Sequence, residues 1–392
     1  MTDTALLAVA LAAAAGLLAG RAFAAGRRRG ERGERFRTSP HYTQGLHYLT
    51  AGQLEPAIRE LTKVSREEPA AVDVVQVLSH LLREAGQVEK AIQLHQGLLR
   101  RPDLTRAERA YVLGALGTDF RKAGFLDRAA RTYAEALEAD PGNLQALIGQ
   151  EKLHEDQREW REAYEVQTRL ARLRKTDDGL VLGHLQAEIG REAARAGDRP
   201  AAEAAFRAAL SLDRRVLPAH LGLAALHAES DPRRAAAILE DAVAAVPERA
   251  YLAFEPLARA YSACGEPSRF VATCERLIGQ DPRDWRARVA LARHVRAEGK
   301  PEESLGLLLR AVEANPQVLL VHLEAWRTLR ALGVVGEAEA RYVSAAEESA
   351  FYVDPHICTA CRYRADDMLW RCPHCHEWDT FVEERLAPPS GR

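Results

Sequence analysis

The 392-residue chain has little of what most soluble enzymes are built from. Aromatic residues make up 6% of it, there are only two methionines, and the six cysteines are too few for a disulfide framework at this length. Neither charge sign dominates: 54 basic residues stand against 56 acidic ones, which excludes a globally basic nucleic-acid binder. At 28% charged and 47% hydrophobic, the composition is too charged for a multi-span membrane protein and too apolar for a disordered chain. What the chain has in excess is alanine, at 71 positions. Alanine packs helices closely and has the best helix propensity, so a mostly helical fold is expected.

Thr4–Gly20 is uncharged, and continuing to Ala25 adds one charge, Arg21. A helix over 4–25 would be roughly 33 Å long, close to the hydrocarbon thickness of a bilayer. Residues 1–25 are therefore read as a transmembrane anchor. Leu6, Leu7, Val9, Leu11, Leu17, Leu18 and Phe23 supply most of its insertion energy. Residues 26–37 form a basic collar. From Arg21 to Arg37 seven arginines face only Glu31 and Glu34, and ahead of the anchor there is only Asp3. The positive-inside rule then puts the body of the chain in the cytoplasm. A cleaved signal peptide is disfavoured, because a basic n-region is missing and arginine follows the apolar run. The Gly16/Gly20 pair admits helix pairing, and with it a homodimer.

From 38 to 350 the sequence repeats at about 34 residues, giving about nine tetratricopeptide-like units. The clearest copy, 110–143, reads Leu113, Leu116-Gly117, Phe120, Gly124, Ala129, Tyr133, Ala136 and Pro141. Small residues at Gly117 and Ala129 let two helices approach, and Leu116, Phe120 and Tyr133 fill the space between them. Similar registers recur, for example Ile189-Gly190, Gly197, Ala202 and Phe206, and Leu257-Ala258, Tyr261, Gly265 and Pro282. The expected fold is an all-α solenoid whose concave surface binds peptides, helices or protein faces. These repeats contain no phosphate loop, nucleophile elbow or H-E-x-x-H, and His80, His95, His184, His227 and His294 show no ligand spacing. Cys264 and Cys274 are read as packing residues.

After Asp354-Pro355 the composition changes. Within 354–386, Cys358-x-x-Cys361 and Cys372-x-x-Cys375 are two C-x-x-C pairs separated by ten residues, followed by a tail at 387–392. Each pair spans a tight turn that aims two sulfurs at one point, and two turns make a tetrahedral S4 cage. So short a segment cannot fold on apolar content alone, so a metal is expected to supply much of its folding energy. Trp370, Trp378, Phe381 and Tyr363 are expected to pack around the site. Disulfides conflict with a cytoplasmic body, and a thioredoxin-like dithiol needs one C-x-x-C rather than two. His374 or His376 as a substitute ligand is unnecessary once four cysteines close the shell. Such a closed shell points to a structural metal, zinc or iron. Residues 356–386 hold four basic and six acidic residues, the wrong sign for phosphate.

Anchor, collar, repeats and the terminal run Leu369-Trp370-Arg371-Cys372-Pro373-His374-Cys375-His376-Glu377-Trp378 together resemble the lipopolysaccharide assembly protein B (LapB) family. Ala91-Ile92-Gln93-Leu94-His95-Gln96 is also similar to that family. The resemblance implies an all-α tetratricopeptide-repeat solenoid with an N-terminal transmembrane helix and a small C-terminal rubredoxin-like module. In that module Cys358, Cys361, Cys372 and Cys375 hold one metal, iron or zinc. It further implies a non-enzymatic adaptor, single-pass in the inner membrane, with no nucleic-acid partner. Such an adaptor promotes proteolysis of the deacetylase of the committed lipid A step by a membrane-bound AAA protease of the FtsH type. An electron carrier and a general chaperone for envelope complexes are the alternatives. Rubredoxin knuckles usually have glycine after the second cysteine of each pair. Arg362 and His376 stand there, which argues against the standard knuckle geometry and an electron-carrier role, but not against the ligands.

Overall fold

The computed structural model describes residues 39–67, 71–334, 336, 341 and 356–383. The proposed anchor, the collar and the tail lie outside the described residues. Among the described residues no helix is long and apolar enough to cross a membrane. Seventeen α-helices, a 3-10 turn at Pro247–Arg249 and three short strands are found among them. They divide into two compact units, ending and beginning at Arg174 and Lys175.

The first unit holds four helix pairs: α1 Pro40–Thr50 with α2 Leu54–Glu67, α3 Val72–Glu84 with α4 Val88–Leu99, α5 Arg106–Lys122 with α6 Leu126–Ala139, and α7 Leu144–Gln157 with α8 Trp160–Arg174. The first helix of a pair stops by one recurring device. Gly52, Gly86 and Gly124 take positive φ just past the helix end. The next N–H then reaches back to the carbonyl five residues earlier, as from Phe125 to Phe120 at 2.9 Å. This closes the free carbonyls of the last turn. The fourth pair uses the same turn with Arg158 at φ 60°, and Glu159 bonds back to His154 at 2.8 Å. A side chain in that conformation costs about 1–2 kcal/mol that glycine avoids, which is why this repeat is hard to see in sequence. Helix α5 begins four residues ahead of the repeat register at Ala110. The reason is local: Thr105 and Glu108 cap each other's backbone N–H groups and set the start at Arg106.

Packing within a pair depends on size matching. The fully buried Tyr133 ring lies against Gly117 of α5 and Gly149 of α7, where any Cβ would overlap it. Buried Asp119 takes Arg83 at 2.6 Å and His95 at 2.5 Å, so one carboxylate joins α3, α4 and α5. Its full burial is tolerated because both oxygens are paired.

The second unit continues with α9 Gly179–Arg195, α10 Arg199–Leu212, α11 Leu217–His227, α12 Pro232–Ala245, α13 Tyr251–Ala263, α14 Pro267–Gln280, α15 Trp285–Ala297, α16 Pro301–Ala314 and α17 Leu319–Ala331. Phe206 repeats the role of Tyr133, with Gly190 and Gly222 against its ring. Cys274 is fully buried in this core, and Cys264 caps the end of α13. Buried Glu324 on α17 is held by Arg293 and Arg296 at 2.8 Å and Arg327 at 2.9 Å. The unit also contains a three-stranded antiparallel sheet, β1 His356–Cys358, β2 Arg364–Ala365 and β3 Phe381–Glu383, in the order β2-β1-β3.

Candidate metal centre

The sheet positions the sulfurs. Cys358 ends β1 opposite Phe381 of β3, and the chain turns back into β2 through Cys361. The second turn, Cys372 to Cys375, sits inside the bridge between Arg371 and Trp378. Both turns close with the same two bonds. In the first, Arg362 N–H donates to the Cys358 carbonyl at 2.9 Å and Cys358 N–H to Tyr363 at 2.8 Å. In the second, His376 N–H donates to Cys372 at 3.0 Å and Cys372 N–H to Glu377 at 2.9 Å. Arg362 and His376 adopt φ of 65° and 62°. The missing glycines therefore do not change the knuckle, contrary to the sequence expectation. Paired backbone bonds hold both residues in the left-handed region despite the cost of their side chains.

The four sulfurs lie within 4.8 Å of one another. Cys358 Sγ is 3.6 Å from Cys375 Sγ, and Cys361 Sγ is 3.5 Å from Cys372 Sγ. A tetrahedral ion with metal–sulfur bonds of about 2.3 Å requires sulfurs about 3.8 Å apart, so the four cysteines are clustered for one metal ion. Cys358 and Cys372 are fully buried. The His374 N–H donates to Cys372 Sγ at 3.4 Å, and the Thr380 hydroxyl lies 3.2 Å from Cys358 Sγ.

Proton affinities across the cluster are uneven. Burial pushes the Cys358 thiol up, but hydrogen bonds from Thr380 and from the Cys361 and Ala360 backbone outweigh it and hold the thiol at about 6. Burial raises Cys361 and pushes Cys375 up to about 12. Four thiolates at this spacing need a cation to coexist. The all-sulfur donor set suits zinc and iron alike, and with all four positions filled by protein it leaves no open coordination site.

The aromatic residues divide differently from expectation. Phe381 is fully buried against Cys358 and Cys372, and Tyr363 stacks on His374 and meets Phe381 edge to face. Trp370 and Trp378 instead face the helices. His184 of α9 stacks on Trp378 at 5.4 Å and lies 6.3 Å from Trp370. Trp370 also packs on the core of helices α11–α15. Arg249 bonds the Asp379 carboxylate and, at 3.1 Å, its backbone carbonyl. Arg286 of α15 pairs with Glu383. Three helical residues thus seat the module, and sequence spacing marks none of them. His184 is buried and the side chain of Arg286 is 21% exposed, placements that periodicity in the sequence does not reveal. Burial, with the Arg249 and Arg191 charges, pushes His184 down to about 4, so the stacked ring is neutral.

The model of the rubredoxin metal binding domain matches residues 356–383. Lipopolysaccharide assembly protein B of Escherichia coli (strain K12) is 22% identical over 391 residues, which cover 97% of this chain and 98% of that protein. The chain is thus similar to LapB over nearly all of both sequences. The LapB of Haemophilus influenzae is also 22% identical, over 88% of this chain and 89% of its own. Solved tetratricopeptide structures match more loosely. The C-terminal part of a repeat protein from Cytophaga hutchinsonii is 14% identical over 64% of this chain and 99% of its own, with a TM-score of 0.45. A repeat protein from Parabacteroides merdae is 16% identical over 76% and 99%, with a TM-score of 0.27. The resemblance of the terminal cysteine run to LapB is borne out, and it extends through the helical repeats.

Proposed function

We propose that the chain is a non-enzymatic adaptor that regulates lipopolysaccharide synthesis. Anchored in the inner membrane through residues 1–25, with its repeats in the cytoplasm, it brings the deacetylase of the committed lipid A step to a membrane-bound AAA protease. The observation that carries this reading is the extent of the LapB likeness, which spans 97% of this chain and 98% of the E. coli protein. Helical repeats that bury their apolar stripes in one another leave long side-chain surfaces for protein partners. Confinement to the protease's membrane raises the effective concentration of the partners.

Cys358, Cys361, Cys372 and Cys375 hold the metal in this reading. When bound, the ion supplies charge neutralisation and a rigid node, and its role is structural. The seat on α9, Arg249 and α15 makes the module a part of the adaptor's shape.

The test is complementation in cells that lack their own LapB, reading the half-life of the deacetylase. The full chain should restore rapid turnover. A chain without residues 1–25 should fold but leave the deacetylase stable. Normal turnover by that truncated chain at equal abundance would sink the tethering argument, and no effect of the full chain would sink the adaptor reading.

A further inference from the structure

Within the second unit, helices α13, α14, α15 and α17 line a half-open cavity of about 570 Å³ whose last wall is Glu383 of β3. Its floor is apolar, with Phe254, Phe270, Trp285 and Val289. That volume lies in the range of built binding pockets and has room for two or three large side chains. Arg259, Arg286 and Arg293 stand around it.

Two features define what fits. The first is charge. Helix α15 carries Arg286, Arg288, Arg293 and Arg296 and no acidic residue. Behind the cavity a single carboxylate, Glu324, faces three guanidinium groups. At the mouth, Arg259 is 72% exposed and its contact with the equally open Glu255 is long, at 3.6 Å. Such an exposed pair is weak and gives way to a better partner. The second feature is the apolar floor, which takes bulky apolar side chains. Glu383, paired with Arg286 at the wall, shows which group this site takes.

We propose that this cavity docks an acidic peptide segment of a partner protein. Two or three bulky apolar side chains of the segment occupy the cavity, and flanking carboxylates pair with Arg259 and Arg293. The proposal rests on the adaptor reading only in taking the partner to be a protein.

Full-length purified chain, metal-loaded and held in detergent, is used to select from a random peptide library, and fluorescence anisotropy then gives Kd for the enriched peptides. Enrichment of aromatic or leucine residues flanked by Asp and Glu is expected. Ala258→Trp, which takes up part of the cavity, should weaken those peptides by at least about tenfold. Arg259→Glu should also weaken them, and exchanging the flanking acids for lysine should restore binding to Arg259→Glu alone. That rescue does not require Ala258→Trp to fold. The proposal is overturned if nothing is enriched, if the enriched peptides are neutral or basic, or if both variants leave Kd within about twofold with no rescue. Deacetylase turnover is read separately: normal turnover with no peptide binding removes the cavity and leaves the adaptor reading intact.

Discussion

The helical repeats and the cysteine module solve the same problem in opposite ways. In the repeats, every pair buries its own stripe, and the same devices recur: a left-handed glycine after the first helix, and an aromatic ring against two glycines in Tyr133 and again in Phe206. Stability is spread over many similar contacts, so the loss of one repeat element is partial. The module has three strands of two or three residues and a core of Cys358, Cys372 and Phe381. Nothing in it is redundant, and its order converges on four sulfurs.

That contrast breaks most sharply on metal removal. Cys372→Ser, or chelation of the native protein, is expected to unfold residues 356–383 and to expose Trp370 and Trp378, while helical circular dichroism changes little. Structural metal sites of this kind supply on the order of 10 kcal/mol. Helices that melt together with the module would show that the repeats depend on it.

The converse test is in the repeats. Tyr133→Ala removes a fully buried ring between two glycines and should cost about 3–5 kcal/mol, measured by denaturant unfolding. Metal content should stay at one ion per chain. Loss of metal in this variant would refute the separation of the two stability sources.

The seat between module and helices gives the smallest effect. The His184 ring is held neutral, with its pKa lowered from 6.5 to about 4. An unfolded or undocked histidine binds a proton below 6.5, whereas the stacked one does not. The docked state is therefore stabilised fully above about 6.5 and loses stability as pH falls toward 4, by up to about 3 kcal/mol. Hydrogen exchange of residues 356–383 should accelerate over that window, and His184→Phe should flatten the dependence. Asp379, whose pKa burial raises against the opposing pull of Arg249, still titrates in that variant. Its raised pKa favours the docked state as pH falls, the opposite sign, so an unchanged pH profile in His184→Phe would refute His184 as the origin of the effect.

Local periodicity and local spacing determined much of this protein. The 34-residue repeat marks the helix pairs because each pair must present the same small and large residues at the same positions, and Leu147, Ala163 and Leu170 are buried even in the degenerate copy. The four cysteines are recognisable because two C-x-x-C turns already bring each pair of sulfurs together. Tertiary structure alone decided the rest. Arg249 meets Asp379 across 130 residues and Arg286 meets Glu383 across 97, and no sequence rule links positions so far apart. Trp370 and Trp378 turned to the helices, where His184 lies beside both rings and Trp370 packs on the apolar core. Arg362 and His376 accept a left-handed backbone that their side chains disfavour, because the hydrogen bonds of the completed knuckle outweigh the local preference. The basic cavity exists only where four helices and one strand from the far end of the chain meet.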